Sequence, residues 1–446
     1  IPIILAILLG LGLFTITAGV AAGELPWPGA TNPAPLAQRN DLRERSAIAV
    51  APGLDRNVSV AWASERSGGI SLTQQIGGSW SQSQTVALDV TGKAGWHPNI
   101  VHSGTDVLAT WVQDEAPFLG TSPSAIRQQT LDQDLTTLNT QTIITPVYGF
   151  VSPDLVIAPT GLHMVFAASR DSSSEWDLYY MHRPLTSSTW TTPTVVVTST
   201  EVISPEMSGQ VRYPKLAVDS TGTEINIVWE QQQKEIVPPN VIESRSIWYI
   251  HGAWTASTVQ WDTPMRVSPT DQDAILPNIA VGEEDQQIHI SWSEVIRGSG
   301  GFNNPDAQYI NYKRGTSEQS NPAYRLHNHP LEVNDNFPTV AESSISMQEE
   351  RLCVAWHGFY EGDNKEEIWM RCSSDAGISW HGEINVAQSP DWLSIFPRVR
   401  IDAQGQAHLI WGEFFLEGDQ VRPQGLYYRT GNTYLAQIFL PVTLRK

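Results

Sequence analysis

One pattern recurs seven times along this chain, and no other feature limits the fold as tightly. An apolar run ends on an aromatic at Trp62, Trp111, Phe166, Trp229, Trp292, Trp356 and Trp411, in steps of 49, 55, 63, 63, 64 and 55 residues. Six repeats open on a Pro-led apolar run: HPNIV, SPDLV, YPKLA, LPNIA, FPTVA and FPRVR. A third run follows a loop, as in DLYYMHR, SIWYIHG, QYINYKR, EIWMRCS and GLYYRTG. Several repeats close on a Trp and a fourth run, as in GSWSQSQTV, STWTTPTVVV and VQWDTPMRVS. Val, Ile, Thr, Tyr and Trp dominate the runs, and Gly, Pro, Asn and Asp separate them, which is the chemistry of strands and turns. Four short strands per unit, with no long helical period after residue 24, predict an all-β chain. The architecture expected is a seven-bladed β-propeller of four-stranded antiparallel blades.

The units begin near Ser46, Gly95, Val151, Val211, Ala274, Asn336 and Ser394. The first lacks the opening Pro but keeps AIAVAP and NVSVAW. No strand-like run precedes Ser46, so each blade is expected to close within its own repeat. Two residues before each aromatic stand Val60, Ala109, Met164, Ile227, Ile290, Val354 and Leu409, on the same strand face as the ring. The residue between is small or apolar in every repeat. Both faces are therefore dressed for burial, as stacked sheets require.

The flanks read differently. Residues 1–23 carry no charge and form an apolar segment expected to be a signal peptide truncated at its start, or a membrane anchor. Residues 24–45 read as a Pro/Ala-rich linker, 46–437 as the propeller, and 438–446 as a final strand or tail. Export to the cell surface or beyond follows from that reading, with membrane contact only through residues 1–23. The chain has 27 basic and 47 acidic residues, a net charge of −20. Such a balance repels nucleic acid and anionic membranes. Glycans, cations and cell-surface proteins remain as partners.

The octapeptide SSDAGISW (373–380) lies between the third and fourth runs of repeat six. Its Ser373, Asp375, Gly377, Ser379 and Trp380 resemble the Asp-box, or BNR repeat, of the sialidase-like β-propellers. IGGSW, SSSTW and STVQW are similar but lack the Asp and Gly at register. In that superfamily the box is a structural turn on the face away from the catalytic site, so the resemblance implies a mechanical role. The family enzymes have six blades, which makes six the alternative count here. They use an Arg at the opening of an early strand to grip the substrate carboxylate, and Val211-Arg212-Tyr213-Pro214 is the one partial match. It falls in the fourth repeat, not the first.

Loops between second and third runs are long, among them QDEAPFLGTSPS, EQQQKEIVPPNVIESR and GEFFLEGDQVRPQ, whereas the opposite turns DSTGTE and DAQGQA are short. Excess length points to function. Asp114, Glu230, Glu294 and Glu413 are expected to ring one mouth of the channel. Phe118, Trp176, Phe302, Tyr360 and Phe415 are expected to supply apolar platforms beside them. Carboxylates next to aromatics suit sugars, and oxygen-rich loops suit Ca²⁺, although no spaced Ca²⁺ loop is present and no other cofactor is implied. His163, His289 and His408 recur three residues before the aromatic, which argues for hydrogen-bonded packing. His327 and His329 are a pair without a third ligand.

Cys353 and Cys372 are the only cysteines. Folding HGFYEGDNKEE about its middle sets Cys353 opposite Cys372 and Trp356 opposite Trp369, which predicts a cross-strand disulfide. Together these readings point to an exported binding or scaffold module for glycans or cell-surface proteins. The alternative is an exported glycoside hydrolase using the loop carboxylates.

Overall fold

The computed structural model describes residues 42–50, 58–64, 68–76, 79–86, 94–114, 124–148, 152–169, 175–199, 208–237, 240–255, 258–271, 273–283, 286–296, 307–316, 322–326, 331, 341–358, 365–389, 393–417 and 420–433. These form seven antiparallel sheets and no helix. Blade 1 comprises Leu42–Val50, Val58–Ser64, Ile70–Ile76 and Ser79–Trp80; blade 2 comprises Ala94–Ser103, Asp106–Asp114, Ser124–Leu131 and Thr137–Val147. Blade 3 is Asp154–Ala158, Gly161–Ala168, Asp177–Arg183 and Thr194–Val197. Blade 4 is Ser208–Val218, Glu224–Val237, Asn240–Thr255 and Thr258–Trp261. Blade 5 is Asp273–Val281, Ile288–Ile296, Ala307–Gly315 and Tyr324–Arg325. Blade 6 is Ser343–Gln348, Arg351–Gly358, Glu367–Ser373 and Ile384–Asn385. Blade 7 contributes Leu393–Ile401, Gln406–Glu417 and Gln420–Asn432 among the described residues.

First strands of successive blades pack side by side around a central channel, and Leu393–Ile401 closes the ring against Leu42–Val50. Every sheet is built from consecutive strands, so each described blade closes within its own repeat. The seven-blade count holds.

The recurring aromatics explain why the ring coheres. All seven are at most 1% exposed, and each wedges against the preceding blade. Trp229 packs on Val165, Ala167 and Leu178 of blade 3, and Trp292 on Val228, Ile247 and Tyr249 of blade 4. Trp62 reaches back to Ile395, Ile410 and Leu426 of blade 7, so the closing joint uses the same chemistry as the other six. A buried Trp removes some 150–250 Å² from water, so seven such wedges amount to a continuous toroidal core.

A second set of contacts joins second strands to third. His163 Nδ1 lies 2.7 Å from the Tyr180 hydroxyl, His289 Nδ1 2.6 Å from that of Tyr312, and His408 Nδ1 2.8 Å from that of Tyr428. In blade 4 Asn226 takes the His position and accepts from the Tyr249 hydroxyl at 2.6 Å. In blade 6 that position is Cys353, which faces Cys372 in the ladder and is joined to it by a disulfide. The same tyrosines receive the closing tryptophans of the next blade edge-on: Trp261 on Tyr180, Trp380 on Tyr312, Trp80 on Tyr428.

SSDAGISW is one of these clasps. Asp375 accepts from the Ser379 amide at 2.8 Å and from the Ser379 hydroxyl at 2.5 Å, and the Ser373 hydroxyl accepts from the Gly377 amide at 2.8 Å. Gly377 sits at φ +75° with its α-carbon against the Tyr312 hydroxyl, where a side chain would collide. The turn exists to lay Trp380 on blade 5.

Several sequence expectations need correction. The first strand starts at Leu42, four residues before the expected boundary, and a register break separates Leu42 from Ser46. The first strand of blade 6 among the described residues is the serine-rich Ser343–Gln348, in which Ser344 pairs with Ala355 one residue before Trp356; of FPTVA only Ala341 is described. Two stretches expected to be irregular loops are extensions of β-hairpins: Val237 pairs with Asn240 in blade 4, and Glu417 with Gln420 in blade 7. Polar composition there disguised continuous ladders. The C-terminal stretch 438–446, the segment 1–23, and His327 and His329 lie outside the described residues.

Candidate functional site: the loop-face mouth of the channel

First strands begin, and second strands end, on the loop face. There the Pro-led motif does something its apolar character hides. In blades 2, 4, 5 and 7 the ladder skips at the X-Pro pair, and the residue before proline takes a positive φ: His97 48°, Tyr213 46°, Leu276 52° and Phe396 59°. Left-handed backbone is costly for a side chain with a β-carbon, and proline keeps its predecessor out of the right-handed α region. The resulting bulge bends each first strand at the rim of the channel. His97, Tyr213 and Leu276 line the cavity beneath the rim.

Beside Tyr213 stands Arg212. Its guanidinium lies 5.4 Å from the Tyr213 ring centre and 5.9 Å from that of Trp176, within cation–π reach of both. Nη1 donates to Gln232 Oε1 at 3.3 Å. Trp176 is held because its carbonyl accepts the Val211 amide at 3.0 Å. Two residues singled out from sequence for different reasons, Arg212 and Trp176, are thus brought together on one rim. Two half-buried aromatic rings and a guanidinium offer stacking faces for sugar C–H groups and donors for hydroxyl or carboxylate oxygens.

The expected open ring of acids is not formed by the described members. Glu230 is fully buried; its Oε2 accepts the Leu276 amide at 3.2 Å and Arg245 lies 3.4 Å from its Oε1. Glu294 is buried against Arg325 in a two-pronged contact of 2.7 and 2.8 Å, with Asn311 adding a donor at 3.0 Å. Arg325 in turn lies flat on Tyr309, 3.5 Å from its ring centre, and the bond to Glu294 holds its guanidinium above its ordinary pKa. Glu413 accepts from Trp411 Nε1 at 2.6 Å and Ser394 Oγ at 2.9 Å, and burial raises its pKa. Apolar packing at these positions required each polar group to find an internal partner, so the acids became joints between strands and blades.

Asp114 ends its strand opposite Ala94, and its side chain, like Phe118, Phe302 and Tyr360, lies outside the described residues. Phe415 is half-buried in the blade 7 hairpin, opposite Arg422. One acid missed from sequence is chemically unusual: burial pushes Glu367 up to about 7, with nearby Glu413 adding to the rise. It is sealed, with Ser389 N donating at 3.2 Å and Lys365 Nζ 3.5 Å away.

Sequence reading also missed the channel's own charges, Asp154, Lys215 and Arg398. Each directly follows the proline of its repeat, and each lines the cavity. The signal was present, since the residue after the proline is polar in all six Pro-led runs.

No protein-family model matches this chain, and no curated protein matches it. Solved structures do. The polysaccharide lyase Uly1 is 10% identical over 90% of this chain and 91% of its own, with a TM-score of 0.54. The α-L-arabinanase of Penicillium chrysogenum, solved with arabinobiose, is 10% identical over 91% of this chain and 99% of its own, with a TM-score of 0.50. The phage phi92 endosialidase is 10% identical over 94% of this chain and 71% of its own, with a TM-score of 0.48. At 10% identity these likenesses show the fold alone, and at that level they agree with the sequence reading: this chain is a seven-bladed antiparallel β-propeller.

Proposed function

We propose that the protein is an exported glycan-binding propeller whose loop-face mouth, around Arg212, Trp176 and Tyr213, receives the sugar. The observation that carries the reading is the fate of the acids. Most glycoside hydrolases need two carboxyl groups facing a scissile bond from roughly 5 to 9.5 Å apart, sialidases with a Tyr nucleophile being an exception. Among the described residues, Glu230, Glu294 and Glu413 are instead buried and bonded to structural partners. What stays accessible at the mouth is recognition chemistry. Two structural neighbours, one a polysaccharide lyase and one solved with arabinobiose, support a polysaccharide as the ligand class. The Cys353–Cys372 bridge supports an oxidising, extracytoplasmic setting.

The test is a glycan array probed with the chain, followed by a reducing-end assay on every glycan that binds. Saturable binding without new reducing ends is expected. Cleavage would move the protein to the hydrolase reading, and capture of a cell-surface protein with a blank array would replace the glycan by a protein partner.

A further inference from the structure

The central channel carries a charge arrangement at odds with the rest of the chain. All seven first strands contribute to a cavity of about 100 Å³, room for roughly three waters. Five of its lining residues are charged: Asp154, Lys215, Glu342, Arg398 and Arg400. Four of them form two pairs. Lys215 Nζ lies 3.3 Å from Asp154 Oδ1, and Arg398 Nη2 lies 2.7 Å from Glu342 Oε1. Asp154 is occupied further, because its Oδ2 accepts the Leu216 amide at 2.8 Å.

Arg400 is the fifth. Its Nη1 donates to the Val399 carbonyl at 2.9 Å, and among the described residues no carboxylate lies within ion-pair distance of it. It stands two residues from Arg398 on the same strand face, so the two guanidinium groups repel, while the Asp154 carboxylate of blade 3 attracts it without pairing. The residue is open to the channel's solvent, surrounded by protein that dampens screening by salt. A channel with one surplus cation, in a chain of net charge −20, is not the by-product of a basic surface.

We propose that the channel binds an oxyanion, a carboxylate or phosphate group, on the guanidinium of Arg400. Two parallel N–H donors of a guanidinium form a planar fork matched to two oxygens of such a group, and an anion there also relieves the Arg398–Arg400 repulsion. Arg400 pairs with His408 next to the 402–406 turn, so this site lies deeper in the channel than the rim of Arg212, Trp176 and Tyr213. This inference rests in part on the glycan reading, but the anion site stands without it. A free oxyanion would satisfy the same fork.

The experiment is a titration of the whole chain at constant ionic strength, read by calorimetry, with sodium phosphate, sodium glucuronate, a galacturonate trimer and glucose. Saturable binding of the anions and none of glucose is expected, weakened at least ten-fold in Arg400→Gln and partly restored in Arg400→Lys. Tighter binding of the trimer than of phosphate assigns the acid to a glycan; the reverse order assigns a free oxyanion. No saturable anion binding by the unmodified chain, or equal binding by Arg400→Gln, overturns the site. Were Arg400→Gln to misfold, the anion-against-glucose comparison in the unmodified chain still decides. A positive glycan array with no anion binding sinks this inference and leaves the glycan reading; anion binding with a blank array does the opposite.

Discussion

Blades 3 to 7 and blades 1 and 2 solve one problem in two ways. The position three residues before the second-strand aromatic lies inside the sheet in every blade. In blades 3, 5 and 7 it is His bonded to a third-strand Tyr, in blade 4 Asn bonded to Tyr, and in blade 6 a disulfide. In blades 1 and 2 it is Ser59 and Leu108, both buried, and the third strand offers Leu72 and Gln128 where the tyrosines stand elsewhere. The repeat therefore preserves a location and its burial, not a residue. Polar clamp, covalent bridge and apolar contact all serve there, and in blade 1 the buried Ser59 hydroxyl stays without a hydrogen-bond partner among the described residues.

That contrast predicts unequal responses to acid, which should be the largest effect. Burial lowers His163 and His289 to about 3, and His102, in blade 2 and outside the clamp, to about 4. A folded-state pKa below the unfolded 6.5 means that the unfolded chain takes up the proton first. The stabilising contribution is complete above pH 6.5 and is lost as pH falls toward 3, by up to about 1.4 kcal/mol per pH unit for each His. Glu367 works in the opposite sense: raised to about 7, its contribution is present below 4.5 and lost as pH climbs through 7. Urea unfolding at pH 7.5, 6 and 4.5 should show falling midpoints in the native chain. His163→Gln/His289→Gln should flatten that fall more than His102→Gln does.

Removing the bridge with Cys353→Ala/Cys372→Ala should cost about 3 kcal/mol, since the 19-residue separation is close to the loop length for which the chain-entropy estimate gives that value. Loss of this size in urea unfolding, without change in anion or glycan affinity, is expected. A smaller loss would say that apolar packing alone serves blade 6 as it serves blades 1 and 2.

Tyr312→Phe should cost about 1–3 kcal/mol by stranding His289 Nδ1, and Tyr249→Phe a similar amount by stranding Asn226. A double-mutant cycle with His289→Leu should return about 1 kcal/mol of coupling. Ser379→Ala, which removes a donor from the partly exposed Asp375, should cost under about 1 kcal/mol.

Much of the architecture was legible because burial leaves a periodic mark. The seven aromatics, the facing cysteines and the recurrent histidines all occupy interior positions, where geometry restricts the choice of residue. The serine-rich first strand of blade 6 was illegible because Ser344 and Ser346 bond to the backbone amides of Val399 and Ile401 of blade 7 instead of filling apolar space. Its stabilising chemistry lies in the partner blade. The acids were misjudged for a related reason. Composition placed Glu230 and Glu294 at strand ends and suggested solvent, whereas arginines more than ten residues away, Arg245 and Arg325, draw them inside. The channel charges were visible as a polar residue after each proline, but which face that residue takes depends on the ladder register, broken just before Lys215 and Arg398 and regular from Asp154 onward.

The central claim is that ligand chemistry resides at the loop-face mouth and the turn face is mechanical. A crystal structure of the chain with the strongest glycan from the array tests it most directly. The account predicts an intact sugar stacked on Trp176 or Tyr213, with oxygens at Arg212. Density for the sugar on the turn face beside Asp375 and Trp380, or a cleaved sugar at the mouth, would contradict it.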